Sequence, residues 1–458
     1  MLRKRIKQNF ISFAVISLVA LVSLTGSCLT VAEAKSHGSG KVKNIIFLIG
    51  DGMGVSYTSA YRYLKDDPST KFVEETAFDR FLVGQQMTYP EDPAQNVTDS
   101  ASAATAMAAG VKTYNNAIAV DNDESEVKTV LEAAKEKGKA TGLVATSEIT
   151  HATPASFGAH DISRKNMNAI ADDYYDELVN GKHKIDVLLG GGKDLFLRQD
   201  RNLVEEFQKD GYSYVSNRKE LLKDKNKQVI GLFAPAGMPK MIDRDQNTPS
   251  LEEMTKSAIE RLNKNKNGFF LMVEGSQIDW AGHDNDIVAA MSEMEDFERA
   301  FQAAVEFAKK DKQTLVVATA DHSTGGFSIG ADGIYNWFGE PIKAAERTPD
   351  FIADQILKGA NAEQTLKQYI NLDLTNEEIQ SVKDAAKTKN YTKIDDAIEN
   401  IFNQRSHTGW TTGGHTGEDV QVYAFGPSSA RFAGNLDNTD HAKIIFDLLK
   451  AKVKIDDK

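Results

Sequence analysis

The chain has 458 residues, enough to bury a large core, and 41% of them are hydrophobic. Its 66 acidic against 54 basic residues give a net charge of −12, which argues against nucleic acid or an anionic lipid surface as a dedicated partner. One cysteine, Cys28, excludes an intramolecular disulfide.

The N-terminal segment reads as a secretory signal. Arg3, Lys4, Arg5 and Lys7 form a basic start, Phe10 to Leu24 is apolar, and Ala32-Glu33-Ala34 offers small residues at a cleavage spacing. The expectation is a signal peptide over residues 1–34, cut after Ala34, and a secreted or cell-envelope-associated protein of residues 35–458. The apolar stretch is short for a membrane span. Thr25-Gly26-Ser27-Cys28 makes a poor lipoprotein box because it opens on threonine, so lipidation of Cys28 is the lesser alternative. Without the leader, 50 basic face 65 acidic residues, a net charge of −15. Such a protein needs local positive charge to handle an anionic substrate. Metal ions supply it, and they also compensate for missing disulfides.

Asn44 to Ile49 is continuously apolar, as in a strand covered on both faces. Gly50-Asp51-Gly52-Met53-Gly54 follows, then a helical pattern, which places Asp51 at the carboxyl end of a strand, where ligands bind in open α/β sheets. A dinucleotide loop fits poorly, since the third glycine of G-x-G-x-x-G falls at Val55. A metal ligand and a plain Asp-Gly turn both remain open for this motif alone. Gln95 to Gly110 reads as a small-residue helix with Ser100 in its first turn. Ser100 is either an anion-facing nucleophile at a helix N-terminus or an N-cap, and Ser102 is its rival.

Further apolar runs are Thr141–Thr146, Ile185–Leu189, Gly268–Val273, Thr314–Ala318 and Val420–Phe425. With the helical patterns between them they predict an α/β fold, a large, mostly parallel sheet flanked by helices. Residues 333–405 hold amphipathic helical patterns without a chemical motif and read as an insertion. Polar residues collect beside the runs: Asp51, Glu274, Asp279, His283, Asp321, His322 and His415. Asp279 and His283 share a helix face at i, i+4. Mixed Asp and His donors suit zinc or a similar metal, and oxygen-only sets suit magnesium. Any one of these residues alone reads as a solvated carboxylate or a satisfied histidine; seven together point to a site. Arg164, in HDISRKN, has the planar fork to grip a tetrahedral anion, or is a surface arginine.

GDGMG, TDSA, HATP, SRK, VEGSQIDWAGH, ADHSTGG and GGHTGEDV, in this order, resemble the bacterial, Bacillus-like alkaline phosphatases from Lys43 to near the C-terminus. The resemblance implies an exported phosphomonoesterase that releases inorganic phosphate from small phosphate monoesters through a phosphoserine, for phosphate scavenging. It implies Ser100 as nucleophile and Arg164 as phosphate ligand, oriented by Asp99. It also implies two Zn2+, one on Asp279, His283 and His415 and one on Asp51, Asp321 and His322. A Mg2+ would lie on Asp51, Thr153 and Glu274, with Asp51 bridging. His151 and Trp280 stand where the best-known enteric member has Asp and Lys. They would lie just outside the third site, where Co2+ becomes an alternative to Mg2+. Members are usually homodimers. A sulfatase motif is missing around Ser100, a diesterase would lack Arg164, and a phosphate- or metal-binding protein without catalysis would have no use for Ser100.

Overall fold

The computed structural model describes residues 40–452. The expected signal peptide, its cleavage after Ala34 and Cys28 lie outside the described residues.

A ten-stranded sheet organises the protein. In chain order its strands are β1 (Asn44–Gly50), β2 (Leu82–Met87), β3 (Ala140–Glu148), β4 (Val187–Gly191), β5 (Ser213–Val215), β6 (Val229–Leu232), β7 (Phe269–Gly275), β8 (Thr314–Thr319), β9 (Val420–Phe425) and β10 (Gly434–Asp437). They lie side by side as β10-β2-β9-β8-β1-β7-β3-β4-β6-β5. All pairings are parallel except those of β9, which runs antiparallel to both β8 and β2. All six apolar runs of the sequence contribute strands.

The unbroken apolar character of β1 has the expected cause. Ile46 and Leu48 point into one core with the long helix Ile287–Asp311, while Ile45, Phe47 and Ile49 point into a second core with Met107, Phe157 and Phe446. A strand buried on both faces loses the polar alternation of a half-exposed one.

Residues 340–406 carry five helices and no strand of the large sheet. Ile352, Leu366, Ile394, Ile398 and Phe402 from these helices join the first core, so they extend the packing of the long helix. Among the described residues, no helix is long and apolar enough to cross a membrane.

Register positions the site. Ile49 pairs with Glu274 on one side and with Thr319 on the other. Asp51 and Asp321, each two residues further on, therefore leave the same edge of the sheet as Glu274.

Candidate active site

Asp51, Glu274 and Asp321 are fully buried. Gly52 lets the chain turn here: its φ is +72°, and a Cβ would stand 2.7 Å from Thr324 Oγ1 and 2.8 Å from Asp279 Cα. The Gly52 and His322 backbone N–H groups donate to Asp321 Oδ1, each at 3.0 Å, and Asp321 Oδ2 has no partner. Ser276 Oγ donates to Glu274 Oε2 at 2.7 Å, and Glu274 Oε1 has no partner. Both oxygens of Asp51 and the Thr153 hydroxyl are also buried and unpartnered. Burial raises Asp51 well above its usual range, with Asp321 and Asp279 adding repulsion. Burial likewise pushes Glu274 up to about 7 and Asp321 up to about 6. Buried carboxylates without partners are costly unless a cation or a proton compensates.

The histidines show where such a cation fits. His283 Nδ1 donates to the Gly413 carbonyl at 2.7 Å, and His415 Nδ1 donates to the Thr98 carbonyl at 2.8 Å. In the neutral rings, Nε2 is then a lone pair in both. These Nε2 atoms are 3.1 Å apart, and lie 3.4 and 3.5 Å from the Asp279 carboxylate. The Thr324 hydroxyl donates to Asp279 Oδ1 at 2.5 Å, so it accepts from His322 Nδ1 at 3.3 Å. His322 Nε2 is therefore a third lone pair, 3.2 Å from Asp321 Oδ2 and 3.5 Å from Asp51 Oδ1. Burial and the neighbouring His415 hold His322 well below its usual range, while the bond to Asp279 raises His283 to about 9.

Three groups of donors result, each with ligand atoms within 4.8 Å of one another: Asp279, His283, His415; Asp51, Asp321, His322; and Asp51, His151, Glu274. Asp51 belongs to two of them. His151 also stands against the third group, with Trp280 packed edge-on at 5.8 Å between ring centroids, but its Nε2 accepts from Arg164, so the neutral ring carries its proton on Nδ1. Thr324, which orients both Asp279 and His322, was not singled out from the sequence. A small hydroxyl beside two ligands in ADHSTGG was the available signal.

Ser100 opens the helix Ser100–Ala109, and its hydroxyl lies 3.2 Å from His322 Nε2. The N-cap is Asp99, which accepts from Ser102 N at 3.0 Å, so the reading of Ser100 as a cap is overturned. Ser102 is engaged elsewhere, with Thr98 Oγ1 at 2.7 Å and Asn115 Oδ1 at 3.2 Å. Arg164 Nη1 donates to Asp99 Oδ2 and its Nη2 to His151 Nε2, both at 3.1 Å. Burial, then the Arg164 charge, lowers His151 to about 3 and keeps its ring neutral. His407 caps the helix Tyr391–Ser406 at φ +56° and joins no such group among the described residues.

The alkaline phosphatase family matches residues 42–451. The chain belongs to the alkaline phosphatase family. It is 70% identical to alkaline phosphatase 3 of Bacillus subtilis (strain 168), over 99% of this chain and all of that one. Among solved structures it is similar to the cold-active alkaline phosphatase of a psychrophilic Shewanella, with 42% identity and a TM-score of 0.84 over 89% of this chain and 99% of that one. It is also similar to a mutant TAB5 alkaline phosphatase with Mg bound in its M3 site, with 31% identity and a TM-score of 0.66 over 90% of this chain and 99% of that one. Alkaline phosphatases are metal-dependent and hydrolyse phosphate monoesters, and this chain is such a phosphomonoesterase, close to the Bacillus enzymes.

Proposed function

We propose that this alkaline phosphatase works through a phosphoserine on Ser100. The observation that carries the reading is the position of the Ser100 hydroxyl, beside the Asp51, Asp321, His322 group and at the start of a helix. Ser100 Oγ bonds to phosphorus and the ester oxygen departs as the alcohol. Water then cleaves the phosphoserine, releasing inorganic phosphate and restoring Ser100. Arg164, braced by Asp99, turns its guanidinium toward two non-bridging oxygens. The helix N-terminus adds N–H groups to the same anion.

Asp279, His283 and His415 would hold one zinc ion, and Asp51, Asp321 and His322 a second. Asp51, Glu274 and Thr153 would hold magnesium, and cobalt would compete only if His151 gave up its bond from Arg164 and freed a ring lone pair. The buried unpartnered oxygens and facing lone pairs support this donor assignment. Bound metals would lower the serine hydroxyl's pKa and stabilise the leaving oxygen. The Mg named for the TAB5 relative, a His-to-Glu mutant, supports a metal at a third site rather than its identity here.

Residues 333–405 are read as an insertion in a catalytic domain of residues 35–458. The leader supports export and a role in phosphate scavenging, and a second copy of the chain is the expected partner. The test is hydrolysis of a chromogenic phosphate monoester before and after chelation, with metal analysis and acid trapping of phosphoserine. Full turnover without any trapped phosphoserine overturns the covalent route.

A further inference from the structure

Five carboxylates gather where the helix bearing Asp279 and His283 meets the helices of residues 340–406. Asp284 ends the helix Gln277–Asp284, and Asp286 caps the helix Ile287–Asp311. Asp350 lies in the first turn of the helix Pro349–Leu357, and Asp395 and Glu399 stand one turn apart on the helix Tyr391–Ser406. Oxygens of Asp284, Asp350 and Asp395 all lie within 4.8 Å of one another.

The cluster is more than a group of surface acids. Asp286, Asp395 and Glu399 are only 1%, 2% and 5% exposed. Each keeps a buried oxygen without any hydrogen-bond partner: Asp286 Oδ2, Asp395 Oδ1 and Glu399 Oε1. The other Asp286 oxygen is used by the cap, accepting from Val288 N and Ala289 N. Asp350 accepts from the Tyr391 hydroxyl. Burial, then the charges of Asp286, Asp395, Asp284 and Asp396, raise Glu399. Lys240 is the cation whose field reaches Asp284 and Asp286, but its Nζ donates to the Gln277 carbonyl at 3.4 Å. The other acidic cluster, Glu132 and Glu177 around His160, differs: Lys184 pairs with both its carboxylates.

We propose that Asp284, Asp350 and Asp395, with Asp286 and Glu399, bind a calcium ion apart from the catalytic centre. The donors are all oxygen, which suits a hard cation. They come from four separate helices and include partly exposed Asp284 and Asp350, which offer an entry path. Such a loose, many-carboxylate set fits the six to eight ligands of calcium better than the tight octahedron of magnesium. The ion ties the helices of residues 340–406 to the residue that follows His283. Without it, burial pushes Asp395 up to about 9 and Glu399 up to about 11, so protons are the competing occupants.

The test uses whole protein saturated with zinc and magnesium, then titrated with Ca2+ by calorimetry and thermal melting, beside the Asp395→Asn/Glu399→Gln double variant. The wild type is expected to take up one additional calcium per chain and melt at a higher temperature. The variant is expected to keep phosphatase activity and lose both responses. Terbium emission sensitised through Tyr391, quenched by Ca2+ but not by Mg2+, gives a wild-type readout that stands even if the variant fails to fold. No calcium uptake by the wild type, or equal uptake by the two proteins, overturns the proposal. Neither result bears on phosphate hydrolysis, which is read separately.

Discussion

His283 Nε2 and His415 Nε2 face each other at 3.1 Å, each ring with its other nitrogen donating to a carbonyl. Facing lone pairs beside a carboxylate repel, so a metal ion or, in its absence, a proton on His283 must stand between them. Chelation should therefore abolish phosphatase activity and lower Tm. A cation present at a thousandfold excess over its Kd contributes about 4 kcal/mol. Differential scanning calorimetry with and without chelator checks this, and an unchanged melting curve would count against any stabilising role for the metals.

Ser100→Ala and Ser102→Ala should separate chemistry from packing. The first should remove the trapped phosphoenzyme and most turnover at little cost in stability. The second breaks buried bonds to Thr98 and Asn115 and should cost about 1–3 kcal/mol of stability while the phosphoenzyme persists. Phosphate recovered on Ser102 would reverse the assignment.

Arg164→Ser should discriminate between ester types. A monoester offers three non-bridging oxygens to metals and guanidinium, whereas the second substituent of a diester would project into the fork. Charge-assisted hydrogen bonds contribute about 1.5–3 kcal/mol each. The measurement is kcat/KM for matched aryl mono- and diesters. A much larger fall for the monoester is expected, and equal falls would show that Arg164 does not discriminate.

Thr324→Val keeps shape but deletes the hydroxyl that fixes Asp279 and His322. Loss of such an orienting bond typically costs about 10–100-fold in metal affinity. Zinc competition against a chromogenic chelator reads this directly; unaltered zinc affinity would mean that packing alone orients the two ligands.

His160 supplies a pH test away from the centre. Burial opposes its charge, but the Glu177 and Glu132 carboxylates, 3.5 and 3.7 Å from its ring nitrogens, raise it above its ordinary value of 6.5. A raised pKa means that the protonated ring stabilises the fold fully below pH 6.5 and loses this contribution as pH climbs through the folded value. His160→Gln should thus lower Tm more on the acid side of 6.5 than well above it. An equal loss on both sides would show that the ring acts only through packing.

The sequence exposed the buried half of the sheet because β1, β3, β4, β7, β8 and β9 are long or continuously apolar. It concealed β2, β5 and β10, which are short or polar, as edge strands and their neighbours tend to be: LVGQQM and GNLD carry little apolar signal. VIGL in β6 is fully buried but spans only four residues. The candidate donors were readable because each lies in or beside a strand or shares a helix face. Thr324 was not, since its role depends on how separate loops fold over one another. Asp350 and Asp395 lay in helices that read as plain amphipathic stretches, and only packing brings them to Asp284.

The reversed direction of β9 settles when the centre is finished. The other strands deliver their candidate donors at or just after their ends, but an antiparallel strand presents its beginning to that same edge, so His415 arrives ahead of β9, on a short ladder with Thr324. The earliest donor, Asp51, comes directly after the first strand, and the final donor waits for nearly the whole chain. A nascent or truncated polypeptide therefore holds only an incomplete donor set, and on the proposed assignment, capture of the full metal complement would signal that the sheet has closed around its penultimate strand.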